Sequence, residues 1–255
     1  MSINPVAFAI GGFSVYWYGI LIASAVLIGT LLAIREAEKK GYNQDHFFNI
    51  ILVSLPAAFI GARLYYVLFN WDYYSQNLSE IPATWQGGLA IHGGLIAAFI
   101  AAYIMMKKYR ISFFQGVDIA APSIILGQAI GRWGNYFNQE AYGYVVDQAK
   151  IPWAMYIDGA YRHPTFLYEF LWNIGVFLFL LYLRRKENLK NGDIFLSYVL
   201  LYSVGRFIIE GFRTDSLMLF STLRAAQVVS ALVIIVAGVY LYLNHRKKST
   251  PDAEG

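Results

Sequence analysis

Polar residues that could form an anion site cluster in segment 127–143, directly after an apolar stretch. They are one arginine, two asparagines and one glutamate: Arg132, Asn135, Asn138 and Glu140. Such groups are costly at membrane depth unless they line a cavity and find partners. A forked guanidinium beside two amides suits an oxyanion such as a phosphate. The alternative interpretation is a buried polar cluster that only holds helices together.

A second polar set lies in a later apolar segment, where Tyr202, Arg206 and Glu210 recur at intervals of four. That spacing places the three side chains on one face of a helix. An arginine and a carboxylate one turn apart form either a structural ion pair or an anion site that the glutamate orients. Arg132 on another helix favours the anion site. Glu169, a further ionisable residue within an apolar segment, could pair with one of the arginines.

Histidine supplies the candidate base. His92 precedes two glycines, which would let a substrate approach its ring. Imidazole exchanges protons near neutral pH, as a general base must. A histidine at a helix end can equally serve as a capping or hydrogen-bonded residue. The four histidines show no metal-ligand spacing, so we expect no metal.

These residues lie in a strongly apolar chain of 255 residues, which is 58% hydrophobic and only 14% charged. Soluble domains carry roughly a quarter charged residues, so the composition predicts an all-α protein that crosses the membrane several times. The net charge of +4 does not suggest nucleic-acid binding. The absence of cysteine excludes disulfides, a thiolate metal site and a cysteine nucleophile in this chain.

Seven apolar segments are each near the ~20 residues that cross a bilayer. They are 15–34, 47–69, 89–106, 113–130, 166–183, 194–209 and 220–243. Short basic clusters follow the odd-numbered segments: Arg35, Lys39, Lys40; Lys107, Lys108, Arg110; Arg184, Arg185, Lys186, Lys190; Arg246, Lys247, Lys248. Cytoplasmic loops carry such an excess, so the N-terminus is predicted outside and the C-terminus in the cytoplasm.

This topology makes residues 1–248 a single membrane domain, with outer loops 70–88 and 138–163 and a short disordered cytoplasmic tail, 249–255. No basic region precedes the first apolar run, so it is not predicted to be a cleavable signal peptide. The pattern Gly-(Ala)-Arg recurs near the outer ends of three segments, at Arg63, Arg132 and Arg206. The repetition predicts an electropositive cage open to the outer leaflet, although Arg63 alone could instead extend to the interface.

The sequence around Arg132 resembles a family signature. Residues 131–140, Gly-Arg-Trp-Gly-Asn-Tyr-Phe-Asn-Gln-Glu, closely match that of bacterial phosphatidylglycerol–prolipoprotein diacylglyceryl transferases. Three other stretches also match that family: 92–94, 163–169 and 202–213. The order and spacing fit along essentially the whole chain. The segment between Glu140 and His163 is short compared with some members.

The resemblance implies an enzyme of the bacterial inner membrane with its active site toward the outer leaflet. Members move the diacylglyceryl group of phosphatidylglycerol onto the lipobox cysteine thiol of a prolipoprotein, form a thioether and release glycerol 1-phosphate. The expected partners are that lipid, the lipobox signal peptide and the bilayer, with no cofactor.

The resemblance also implies roles for the candidate residues. Arg132 and Arg206 would hold the departing phosphate, because catalysis needs cations where charge develops. Asn135 and Asn138 would bind its oxygens. Glu140 and Glu210 would orient the arginines, and Tyr202 would donate a hydrogen bond to the headgroup. His92 would deprotonate the thiol, and Gly134 would keep the backbone clear for the ligand.

A transporter of anions or lipids could use the same arginine cage without chemistry. Transport requires a path to the cytoplasm, however, and the polar intramembrane groups cluster toward the outer side. A retinal-type receptor is disfavoured because the seventh segment contains no lysine for a Schiff base.

Overall fold

The computed structural model describes residues 3–219 and 223–246. Over these residues the chain forms eight α-helices: α1 (Trp17–Lys39), α2 (Gln44–Phe69), α3 (Trp71–Tyr74), α4 (Ile91–Lys108), α5 (Phe113–Asn138), α6 (Thr165–Leu183), α7 (Asp193–Glu210) and α8 (Ala225–Arg246). Three antiparallel hairpins accompany them: β1 (Val6–Ile10) with β2 (Phe13–Tyr16), β3 (Met155–Ile157) with β4 (Ala160–Arg162), and β5 (Met218–Leu219) with β6 (Leu223–Arg224).

Six of the described helices are long and apolar enough to cross a membrane: α1, α2, α4, α5, α6 and α8. The seventh long helix, α7, has 18 residues and includes Asp193, Arg206 and Glu210. The chain is therefore an all-α, multi-pass membrane protein, as its composition predicts. The tail 249–255 and the first residues of the last predicted segment, 220–222, lie outside the described residues.

Helix α5 differs most from its predicted segment. The apolar pattern ends at Ile130, but the helix continues through Arg132 and Asn135 to Asn138. Aromatic packing explains the extension, because Trp133 and Tyr136 contact the ring of Phe166 at the start of α6, with centroids 5.9 and 5.1 Å apart. Arg132, Asn135 and Asn138 thus lie in the last two turns of a helix, and Glu140 follows its end.

Contacts divide the chain into two compact units, residues 30–116 and residues 1–29 with 117–255. In the first unit, α2 and α4 pack at close range through glycines. A Cβ on Gly61 would lie 2.2 Å from the Ala97 Cβ, and one on Gly93 would lie 2.2 Å from the Tyr65 Cβ. Any larger side chain at either position would force these helices apart.

The second unit is built around α5, α6 and α7. The halves of these helices farther from Arg132 and Arg206 share a buried apolar cluster: Ala121, Ile125, Val176, Leu180, Ile194 and Tyr198. Nearer Arg206, the indole of Trp172 on α6 occupies the place of a side chain at Gly205, where a Cβ would meet its Nε1 at 2.2 Å. The indole N–H donates to the Leu201 carbonyl at 2.9 Å. This close contact brings α6 against α7 beside Arg206.

Candidate active site

A single buried carboxylate organises the polar end of the second unit. Glu169 on α6 is 4% exposed and pairs with three arginines from different segments. Its Oε2 contacts Arg132 on α5, and its Oε1 lies 2.9 Å from the Nη1 of Arg206 on α7. Oε1 also lies 3.5 Å from the Nη1 of Arg213, in the loop after α7. The expected pairing of Glu169 with an arginine is present, and it involves three of them.

Arg206 is held by two carboxylates at once. Its second terminal nitrogen, Nη2, lies 2.8 Å from the Oε2 of Glu210, one turn further along α7. Glu210 is 2% exposed, whereas the Arg206 side chain keeps 22% of its surface accessible. The spacing of four residues therefore produces the oriented arginine that the sequence predicts. Tyr202, one turn earlier, packs its ring 6.1 Å from that of Tyr198.

The two asparagines of the motif contact Glu140 directly. Asn135 Nδ2 donates to Glu140 Oε1 at 2.9 Å, and Asn138 Nδ2 donates to the same oxygen at 3.3 Å. Asn135 Oδ1 in turn accepts a 3.4 Å bond from Nη1 of Arg132. Within the described part of the chain, Glu140 thus reaches Arg132 through Asn135, which refines the orienting role that the resemblance implies for it.

A left-handed turn places Glu140. Helix α5 ends at Asn138, and the next residue, Gln139, has a φ of +52°. This conformation reverses the chain at a helix C-terminus, and here it is adopted by a residue other than glycine. The Glu140 amide donates back to the Asn135 carbonyl at 3.0 Å. The turn therefore carries the carboxylate back over the asparagines.

Arg213 is the site residue that the candidate set omits. Its spacing of seven from Arg206 was the available signal, since residues four and seven apart share a helix face. The helix has ended by then, and a bridge between Gly143 and Arg213 fixes the position of the loop instead. Asp215 lies 2.7 Å from the Nη2 of Arg213 and is half exposed.

Gly134 does not leave space for a ligand. A Cβ at this position would lie 2.2 Å from Cδ2 of Tyr18, because the tyrosine ring of α1 occupies the gap. Gly131 and Gly127 face the same helix, with Ile22 and Ala25 at 3.8 and 4.0 Å from their built Cβ positions. Gly134 therefore serves the close packing of α5 against α1, whereas the contacts at Gly127 and Gly131 are at ordinary van der Waals distances.

Arg63, in the unit 30–116, is bound to backbone and not to acidic groups. It is 7% exposed and donates four hydrogen bonds of 2.7–3.0 Å to carbonyls of the loop after α3. The acceptors are Glu80, Ile81, Gly87 and Gly88. Its guanidinium also lies over the rings of Tyr66 and Tyr74. This geometry corrects one prediction for Arg63, because its bonds to the loop carbonyls leave no free fork for a substrate.

His92 is also in the unit 30–116, in the first turn of α4, with an exposed side chain 6.3 Å from the Tyr65 ring. The glycines that follow it are not open to a substrate. The space at Gly93 is filled by Tyr65, and a Cβ on Gly94 would meet the Ala58 carbonyl at 3.2 Å. Within residues 3–219 and 223–246, no group of three acidic or histidine side chains could hold a metal ion.

An apolar groove of about 1100 Å³ runs along α6 and α7 in the second unit. Its lining includes Leu171, Gly175, Phe179, Leu201 and Ile208. Three polar side chains in the lining are hydrogen-bonded to one another: Tyr168 Oη lies 2.9 Å from Nδ1 of His163 and accepts a 2.8 Å bond from the indole N–H of Trp153. Such a lining can accommodate hydrocarbon chains.

Comparison with known proteins assigns the family. A sequence model described as prolipoprotein diacylglyceryl transferase matches residues 5–243. The chain belongs to this family. It is 51% identical over 259 residues to the phosphatidylglycerol–prolipoprotein diacylglyceryl transferase of Bacillus velezensis, covering 98% of the chain and 95% of that protein. The corresponding protein of Geobacillus kaustophilus is 54% identical over 253 residues, with 96% and 93% covered. The family resemblance in the motif is thereby confirmed.

Proposed function

We propose that this chain transfers the diacylglyceryl group of phosphatidylglycerol to the lipobox cysteine of a prolipoprotein. The names of its relatives support this activity. The observation within the chain that carries it is the cluster of Arg132, Arg206 and Arg213 around Glu169. Cations gathered on one buried carboxylate suit a reaction whose leaving group is a phosphate ester.

The arginine cluster has capacity for an anion beyond its own carboxylates. Three guanidinium groups face the carboxylates of Glu169, Glu210 and Asp215, so the cluster is balanced in charge, and a phosphate would compete with the half-exposed Asp215 for Arg213. Each guanidinium has five N–H donors. Arg206 uses two nitrogens on carboxylates and keeps the remaining donors for a phosphate. The side chains of Arg132 and Arg206 are 19% and 22% exposed, which leaves them accessible.

The proposed step exchanges one bond at carbon. The cysteine sulfur, as thiolate, attacks the glyceryl methylene that carries the phosphate. The carbon–oxygen bond breaks, its electron pair stays on the phosphate oxygen, and a thioether and glycerol 1-phosphate result. Arg132 and Arg206 stabilise the charge that grows on the phosphate, while Asn135 holds Arg132 in position. The step requires no cofactor.

We propose that His92 accepts the thiol proton. A thiol with a pKa of ~8.5 is only a few per cent thiolate at pH 7, so a base can raise the rate roughly 10²–10⁴-fold. The exposed ring at the start of α4 supports the role. His92→Gln keeps a hydrogen-bonding group but cannot titrate. Its activity should be severely reduced near pH 7, and the deficit should shrink as pH approaches the pKa of the thiol. A small or pH-independent deficit would exclude the base.

The transfer itself is tested with purified protein, phosphatidylglycerol and a lipobox peptide. Mass spectrometry should show the peptide gaining the diacylglyceryl mass, and a peptide with serine in place of cysteine should gain nothing. An unchanged cysteine peptide, together with movement of lipid or anion across vesicles, would favour the transporter alternative.

We further propose seven spans, including α7, with the N-terminus outside and the active site toward the outer leaflet of the bacterial inner membrane. The basic loops after alternate helices support this orientation. The chain has no cysteine, so single cysteines report cleanly. Exposed Ser75 and Asn188 lie in loops predicted on opposite sides. An impermeant thiol reagent should label Ser75→Cys but not Asn188→Cys in intact spheroplasts, and equal labelling would overturn the orientation.

A further inference from the structure

Helices α5, α6 and α7 repeat one order of side-chain polarity from their outer ends inward. On α6 the buried face carries a carboxylate, an amide and two apolar residues: Glu169, Asn173, Val176 and Leu180. On α5 the same helical spacing gives Arg132, Gln128, Ile125 and Ala121. On α7 an interval of four throughout gives Arg206, Tyr202, Tyr198 and Ile194. Each helix therefore presents a charged group, then an uncharged polar group, then the apolar core.

The first and last levels of this order are in contact across the helices. The charged groups meet in the ion cluster around Glu169, and the innermost residues meet in the apolar cluster that includes Ile125, Leu180 and Ile194. The polar groups between them lie one helical turn deeper than the charged groups of their own helices, where Gln128 bonds to Tyr198 and Tyr202 packs against the apolar cluster. We call Gln128, Asn173 and Tyr202 the amide layer.

Two polar atoms of the amide layer have no partner among the described residues. Asn173 is 2% exposed, and its Nδ2 makes no hydrogen bond. Gln128 donates from Nε2 to the Tyr198 hydroxyl at 3.0 Å, but its Oε1 is buried without a partner. A buried N–H without an acceptor destabilises a protein substantially, so such atoms are rare and call for an acceptor from outside the chain.

We infer that Asn173 Nδ2 binds an ester carbonyl of the lipid substrate. This inference rests on the proposed function. In a diacyl phospholipid, a chain of about five bonds of ~1.5 Å each joins the phosphorus to the ester carbonyl carbon, and it spans roughly 6 Å when extended. Four residues of α-helix rise by about 6 Å. A phosphate bound to the arginines therefore places the ester carbonyl at the depth of Asn173. The charged, polar and apolar levels of the helices then match the phosphate, the ester and the hydrocarbon of the lipid.

This contact makes Asn173 a positioning residue for the transfer. The reacting methylene lies between the phosphate and the nearer ester. Holding both sides of it limits the rotation of the glyceryl group and presents the carbon to the incoming sulfur. Precise placement of reacting atoms can change rates by orders of magnitude, so loss of one anchor should be measurable.

The experiment compares ester-linked phosphatidylglycerol with its ether-linked analogue, which lacks the carbonyl oxygens. The wild-type protein should use the ester lipid about tenfold better, as expected for one buried hydrogen bond. Asn173→Leu should lose that preference, with its rate on the ether lipid kept within about threefold of wild type. Asn173→Ala removes the same donor with a smaller side chain and serves if the leucine variant does not fold.

Gln128→Leu is the matched control, because its free atom is an acceptor and cannot bind a carbonyl. Its rates should fall equally on both lipids, so that the wild-type preference persists. Equal use of both lipids by the wild type, an unchanged preference in both Asn173 variants, or loss of preference in Gln128→Leu would overturn the inference. Absence of transfer from either lipid by the wild type would instead overturn the proposed function, and this inference with it.

Discussion

Arginine side chains are buried in two regions of the molecule, and the partners that surround them differ in kind. In the unit 30–116, Arg63 is enclosed by four backbone carbonyls and two tyrosine rings. In the other unit, Arg132, Arg206 and Arg213 gather on the carboxylate of Glu169. Both regions satisfy guanidinium groups at low exposure, but only the second uses ionised side chains.

The difference indicates which region can take part in chemistry. The carbonyls of a folded loop cannot move away from Arg63 unless that loop unfolds, so the guanidinium of Arg63 is not available to a ligand. Three arginines that share one carboxylate keep N–H donors that are not bonded to it, and the side chains of Arg132 and Arg206 remain about a fifth exposed. The same substitution in the two regions should therefore affect different quantities.

Arg206→Lys should cause the largest change in activity. Lysine keeps the charge, but it has no planar fork and cannot contact Glu169, Glu210 and a phosphate together. We expect transfer to fall at least ~100-fold, the size associated with losing one group that stabilises developing charge. Initial rates by mass spectrometry at matched protein concentration provide the measurement. Transfer by this variant at the wild-type rate would contradict the proposed role of the planar Arg206 guanidinium in binding the phosphate.

Arg63→Lys should instead act on stability. An ammonium cannot satisfy carbonyls at four positions, so some would be buried without a donor, at roughly 1–3 kcal/mol each. We expect a lower Tm in detergent and faster proteolysis in the loop 78–88, with activity per folded molecule within about threefold of wild type. Unchanged stability combined with a loss of transfer like that of Arg206→Lys would erase the distinction between the two regions.

Asn135→Ala should produce an intermediate effect confined to activity. It removes the link between Arg132 and Glu140 while leaving the packing of α5 intact. Displacing a catalytic group by about 1 Å can lower a rate 10²-fold, so we expect a loss of up to that size with a Tm within a few degrees. Asn138→Ala, which removes the longer bond to Glu140, is the matched control and should lose less. A large drop in Tm would support the alternative that the motif only holds helices together.

Asp215→Asn should have the smallest effect, and it should depend on pH. The hydrogen bond from Arg213, against partial burial of the carboxyl group, holds the pKa of Asp215 below its usual range. A carboxyl with a lowered folded-state pKa stabilises the protein above its unfolded pKa, and this contribution is lost as pH falls through the folded value.

The Asp215 side chain is 49% exposed, so solvent screening limits the contribution to about 0–1 kcal/mol. The variant should therefore melt slightly lower than wild type at pH 7, and the two Tm values should converge as pH falls below ~4. A difference that persists in acid would show that Asp215 acts through something other than its charge.

The sequence predicted those parts of the site that local spacing controls. The interval of four residues on α7 brought Arg206 and Glu210 together, and the apolar segments located all seven long helices. The interval of seven residues could have identified Arg213 as a candidate, but neither its position nor the turn at Gln139 follows from spacing, because non-local backbone contacts and a left-handed residue fix them. The role of Arg63 was wrong for a related reason: its partners are loop carbonyls, which every residue carries and no residue pattern reveals.

The sequence does not distinguish a glycine that admits a ligand from one that admits a neighbouring helix, and only three-dimensional packing separates the two uses. Gly134, Gly93 and Gly94 were each expected to admit a ligand, yet a ring or a neighbouring helix fills the space at every one. A glycine in an apolar segment is compatible with either use. The polar residues beside it therefore carry more information about the site than the glycine does.

The central claim is that the arginine cluster around Glu169, and not Arg63, binds the phosphate. The most direct measurement is the affinity of purified wild-type, Arg63→Lys and Arg206→Lys proteins for glycerol 1-phosphate by calorimetry, which requires no turnover. We predict that wild type and Arg63→Lys bind equally, with affinity that weakens in salt, and that Arg206→Lys binds at least ~10-fold more weakly. Equal affinity in all three proteins, or a loss in Arg63→Lys as large as in Arg206→Lys, would contradict it.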